Sequence, residues 1–184
     1  MDNNKKSEFI RLFNAIKPER HRHEVWSDFV TTSAIALHNA THKAHSLETE
    51  YLNIINAYSS DDVQRLCEML SIVVVLLEPA PSDVLGALYM ELELSSANNG
   101  QYFTPDAVSQ LMATILHGGS LEQKLQQPFV TLHEPACGAG GMVLAFAKAV
   151  IDTGHNPAEK LWVSAIDVNR IAASYDHFWC MTKQ

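Results

Sequence analysis

The chain has 184 residues, 47% of them hydrophobic, enough for one substantial core or two small ones. No apolar run approaches the roughly 20 residues of a membrane span, and the start, Met1 to Lys6, carries no apolar signal region, so a cytoplasmic protein with no membrane partner is expected. The net charge of −8 gathers in residues 46–127, which hold two Lys/Arg against eleven Asp/Glu, and this excludes a protein that grips DNA by a basic face of its own.

The first half reads as helices. Val25, Phe29, Ile35 and Leu37 predict one from Glu24 to about His45, and Leu52, Ile55 and Tyr51 or Tyr58 another from Leu47 to Tyr58. Ser59-Ser60-Asp61-Asp62 supplies a cap and first-turn acids for a helix to about Leu77, which Pro79 and Pro81 end. Ser82 or Asp83 caps a further helix through Glu93, and Ser95 to Gly100 is loop by composition. Thr104-Pro105-Asp106 then starts a helix to about Leu116, with Thr at the cap and Pro at the first helical position; Gly118-Gly119 closes it.

From Pro128 the pattern changes. A strand from Phe129 to Leu132, a helix from Gly140 to Thr153 and a strand from Leu161 to Ile166 lead into Asp167 and a last helix from about Asn169. The expected fold is therefore mainly α with a C-terminal α/β portion: a helical domain over 1–95 and a second domain over 96–184.

The richest stretch is His133 to Met142, between the first strand and its helix. An acidic residue at a strand's end followed by Gly138-x-Gly140 lets the backbone pass close to a ligand and offers helix N–H groups to its anionic part. The dinucleotide fingerprint G-x-G-x-x-G is absent. Alone, the glycines are also compatible with a plain tight turn, Thr104-Pro105 with a helix cap, and Asp167 with a cap of the last helix.

Three segments in order resemble one family. Gly100-Gln101-Tyr102-Phe103-Thr104-Pro105, Glu134-Pro135-Ala136-Cys137-Gly138-Ala139-Gly140-Gly141 and Ala165-Ile166-Asp167-Val168-Asn169 are similar to the N6-adenine DNA methyltransferases. With Asp83-Val84-Leu85-Gly86-Ala87-Leu88-Tyr89 before them, they most resemble the modification subunits of type I restriction-modification systems. The resemblance implies the start of a Rossmann-like methyltransferase fold that binds S-adenosylmethionine. It implies that Glu134 accepts a hydrogen bond from the cofactor's amino group, that Gly138 and Gly140 let the loop close over it, and that Thr104 or the helix it caps meets the methionine carboxylate. Asp167 would bind the ribose hydroxyls and Val168 would pack on the adenine. DNA is the implied substrate of the complete enzyme.

The family's Asn/Asp-Pro-Pro-aromatic segment, which holds the flipped-out adenine, has no counterpart: no two prolines are adjacent, and Asn156-Pro157 reads as a turn before the second strand. No catalytic residue is assigned, and the chain is expected to be a truncated catalytic domain, inactive alone. Its short sheet needs cover from a protein partner or a second copy. The rival expectation is a non-catalytic interaction protein descended from a modification subunit, which the acidic middle suits.

Other constellations carry less. His38, His42 and His45 at i, i+4 and i+7 read as a solvated face, so no metal is assigned. Lys17 to His23 is a small basic loop. Cys67, Cys137 and Cys180 are odd in number and widely spaced, as reduced thiols are, and Cys137 is expected to pack structurally or on the cofactor.

Overall fold

The computed structural model describes residues 2–17, 19–42, 44–94 and 104–167. Val168, the helix expected from Asn169, the Ser95–Gly100 loop, the Gly100–Phe103 part of the first motif and Cys180 lie outside the described residues.

Asp2 opens the structure by accepting the Asn4 N–H at 2.8 Å, which caps α1 (Asn3–Ala15). Phe9, Leu12, Phe13 and Ile16 recur at one helical face and are buried. This helix was not foreseen, although cap and spacing were both legible. α2 (Arg22–Thr41) buries Trp26, Phe29 and Val30, and the rings of Phe9 and Phe13 meet Trp26 edge-on at 6.2 and 6.1 Å. α2 ends sooner than its pattern suggested. His42 leaves the helical region at φ −132°, and His45 starts α3 (His45–Ile55), which packs back against α2. His38 and His42 therefore share a face, with rings 5.6 Å apart, but His45 does not continue it. Among the described residues no group of three or more His, Cys, Asp or Glu could hold a metal.

α4 (Ser60–Leu77) starts at Ser59, whose Oγ accepts the Asp62 N–H at 3.2 Å, and α5 (Val84–Glu91) at Asp83. Between α2 and the end of α3, Asp28 Oδ2 accepts the Tyr58 hydroxyl and Arg20 Nη1, each at 2.6 Å. Burial pushes the Asp28 carboxyl up and the Tyr58 phenol up, the second helped by its bond to Asp28.

α6 (Asp106–His117) ends at Gly118, which adopts φ 53°, and a single turn, α7 (Leu121–Lys124), follows. β1 (Val130–Glu134) and β2 (Leu161–Ala165) pair in parallel, Val130 beside Leu161 and Glu134 beside Ala165. The first strand thus runs two residues further than expected, because pairing with β2 continues to Glu134, while Phe129 stays outside and exposed. α8 (Gly141–Asp152) crosses between them, and Asn156 caps the one-turn helix α9 (Pro157–Lys160) where a bare turn was expected. Among the described residues the protein is mainly helical, with this two-stranded sheet near the C-terminal end. No helix there is long and apolar enough to cross a membrane.

Two apolar clusters hold the elements. The larger joins α1, α2, α4 and α5 and takes in Ala139 and Leu144; the smaller gathers Ala113, Leu121, Leu125, Ala145, Phe146 and Val150 against the strands. α8 contributes to both, so the loop before it rests on the helical region and the sheet together.

Candidate functional site

The loop between β1 and α8 is tied on both sides. The Ile166 N–H donates to the Glu134 carbonyl at 2.9 Å, and the Cys137 N–H donates to the Ile166 carbonyl at 3.0 Å. These bonds extend the parallel ladder past the last paired residues and bring the end of β2 against the loop. The chain then reverses through Gly138 at φ 54° and Gly140 at φ 79°, left-handed positions that disfavour any side chain. Gly140 is the N-cap of α8, and its N–H donates back to the Cys137 carbonyl at 2.8 Å.

Two expected site residues brace this turn. Glu134, half-buried, folds back so that Oε1 accepts the Ala136 N–H at 3.1 Å. Asp167 reaches across from the end of β2 and its Oδ2 accepts the Gly138 N–H at 2.9 Å. Glu134, Gly138, Gly140 and Asp167 are thereby brought together at one strand-end, as the sequence order requires. Val168 lies outside the described residues.

Thr104 reaches the same place, but not as a cap. Pro105 holds the N-cap position of α6 at φ −56° and ψ 141°, and its carbonyl accepts the N–H groups of Val108 at 2.9 Å and Ser109 at 3.1 Å. The extended Pro105 pushes the start of the helix one residue along, and no side chain caps it. Thr104 instead lines a cleft of about 190 Å³ with Glu134, Ala136, Cys137, Gly138, Gly141 and Met142. Cys137 is buried in that wall.

Asp83 is the lining residue not foreseen as part of the site. Its Oδ1 accepts the Gly86 N–H at 2.7 Å, capping α5, and burial pushes its carboxyl up to about 6, with the charge of Asp106 adding to the rise. A β-carbon on Gly86 would stand 2.2 Å from Asp83 Oδ2, so the glycine is what lets this carboxyl lie where it does. The cleft walls thus carry two carboxyls, Asp83 and Glu134, and among the described residues no Lys, Arg or His.

A larger groove, about 1000 Å³, runs between the end of α4 and the end of α8, lined by Val74, Val75, Pro79, Ile151 and His155. It contains none of the expected site residues. Its walls are largely apolar, whereas the smaller cleft gathers the glycine turn, two carboxyls and a thiol, and chemistry rather than size makes it the candidate site.

Residues 82–172 match the family model described as N-6 DNA methylase. Over that stretch, just under half of its length, the chain is similar to the N-6 DNA methylase family. The matched segment opens immediately before Asp83 and runs past Asp167, so it contains every residue of the cleft described above. No curated protein and no solved structure matches the chain.

Proposed function

We propose that the chain is the S-adenosylmethionine-binding part of a DNA adenine-N6 methyltransferase of the restriction-modification type, related to modification subunits. The carrying observation is the acidic cleft at the β1–α8 turn. A dinucleotide brings a pyrophosphate, which calls for positive potential at the glycine loop. S-adenosylmethionine brings a sulfonium cation, which carboxyls attract and phosphate-binding sites do not. Asp83 and Glu134 supply that field, and the match of residues 82–172 to the N-6 DNA methylase model supports adenine N6 in DNA as the acceptor.

In this reading Gly138 and Gly140 let the loop approach the cofactor, and Asp167, held by the Gly138 N–H, takes the ribose hydroxyls. Val168 packs on the adenine, and Thr104 with the first turn of α6 meets the methionine carboxylate. The cofactor supplies the methyl group. A target adenine has to leave the duplex stack to be reached, and no residue of this chain is assigned to that step. Calorimetric titration with S-adenosylmethionine tests the reading: saturable binding to the wild type, lost in Asp167→Ala and Glu134→Ala, is expected. A wild-type chain that takes no cofactor would overturn it.

A second reading, a non-catalytic interaction protein, draws on α6. Val108, Leu111, Met112, Ile115 and Leu116, at i, i+3, i+4, i+7 and i+8, are exposed, as is Trp162 on the sheet. A protein partner or a second copy would cover the apolar face of α6. Light scattering across a concentration series distinguishes the cases, since a strict, well-folded monomer counts against self-association.

A further inference from the structure

The space above the α-carbon of Gly141 is bordered by three oxygens from three parts of the chain. A β-carbon built on Gly141 would stand 3.3 Å from Ser109 Oγ, 3.7 Å from Asp83 Oδ2 and 3.9 Å from the Thr104 carbonyl oxygen. Ser109, on α6, is fully buried, and its hydroxyl has no hydrogen-bond partner among the described residues. A buried hydroxyl left unpaired is costly, and such exceptions point to a group that arrives from outside. Asp83, partly buried, lines the cleft: its Oδ1 is used by the Gly86 N–H, and among the described residues no cation lines the cleft beside it. Glu134, by contrast, already has an oxygen turned back to the Ala136 N–H.

From this geometry we infer that Asp83, with the Ser109 hydroxyl and the Thr104 carbonyl, receives the α-ammonium group of the bound cofactor. The inference rests on the S-adenosylmethionine reading of the cleft and adds a residue to it. An ammonium group has three N–H donors and no acceptor, so it matches a niche of acceptor oxygens. Its positive charge relieves the largely buried carboxyl, which has Asp106 as a charged neighbour and no basic residue among those lining the cleft. Helix capping explains Oδ1 but leaves Oδ2 and Ser109 without a function. The methionine carboxylate then falls toward the first turn of α6.

The test compares S-adenosylmethionine with its analogue carrying hydrogen in place of the α-amino group, on the whole chain, by calorimetry. The wild type should prefer the natural cofactor by about ten- to a hundredfold, the range of a hydrogen bond to a charged group. Asp83→Asn keeps a good capping side chain and should shrink that preference by about tenfold, with the analogue bound as before. Equal discrimination by Asp83→Asn and wild type would overturn the inference and leave the amino group to Glu134. Equal binding of both ligands by the wild type would overturn it even if the variant failed to fold. A wild type that binds neither ligand would instead remove the cofactor reading itself, a result distinguishable from the other two.

Discussion

Asp83 makes a prediction about stability that needs no ligand. Its carboxyl titrates at about 6 in the folded chain against 3.8 unfolded, so the folded state holds its proton more tightly. Stability from this group is fully present below pH 4 and is lost as pH rises through 6. The shift corresponds to about 3 kcal/mol. Asp83→Asn should therefore be the more stable protein at pH 7 by up to about that amount, the advantage fading toward pH 4, as denaturant unfolding at several pH values will show. Gly140→Ala, at φ 79°, should cost about 1–2 kcal/mol in the same assay. Gly141→Ala has no such backbone strain and should instead weaken cofactor binding by filling the niche beside Ser109. The contrast shows what sequence reading reaches at this scale. Glu134, Gly138, Gly140 and Asp167 were legible because a short loop and one strand pairing bring them together. Asp83 and Ser109 were not, since their proximity to Gly141 depends on how α5 and α6 pack on α8.

At the scale of elements, periodicity worked where a helix has one apolar face and clear punctuation. α4 was readable from the Ser59 cap to Leu77, and α8 to within a residue at each end. The sequence extends α2 too far because no Gly or Pro follows Thr41 to mark its end, while the break at His42 accompanies α3 folding back. Thr104 was assigned the cap that Pro105 occupies, because a Thr-Pro-Asp triplet fits two registers one residue apart. β1 was cut short since His133 and Glu134 look polar, and only their partners on β2 keep them in the strand. The aromatic contact of α1 with α2 gives the element-scale prediction. Trp26 is fully buried between Phe9, Phe13, Phe29 and Tyr89. Trp26→Ala should cost about 3–5 kcal/mol, read as a lowered urea midpoint.

For the whole molecule, the helical region and the methylase segment share a core. Ala139 of the glycine turn and Leu144 of α8 belong to the same cluster as Phe9 and Trp26. Damage to the helical core should therefore reach the glycine turn between β1 and α8. We expect Trp26→Ala to weaken S-adenosylmethionine binding although Trp26 does not line the cleft. The cofactor at a hundred times its dissociation constant should also raise the stability of the wild type by about 2.7 kcal/mol. The most direct measurement is a titration of the isotopically labelled chain with S-adenosylmethionine followed by backbone amide NMR. The largest shifts should fall on Ala136, Cys137, Gly138 and Gly141 with smaller ones at Asp83 and Ser109, and NAD should leave them in place. Absence of any shift, or shifts confined to the groove between α4 and α8, would contradict the placement of the cofactor in the acidic cleft.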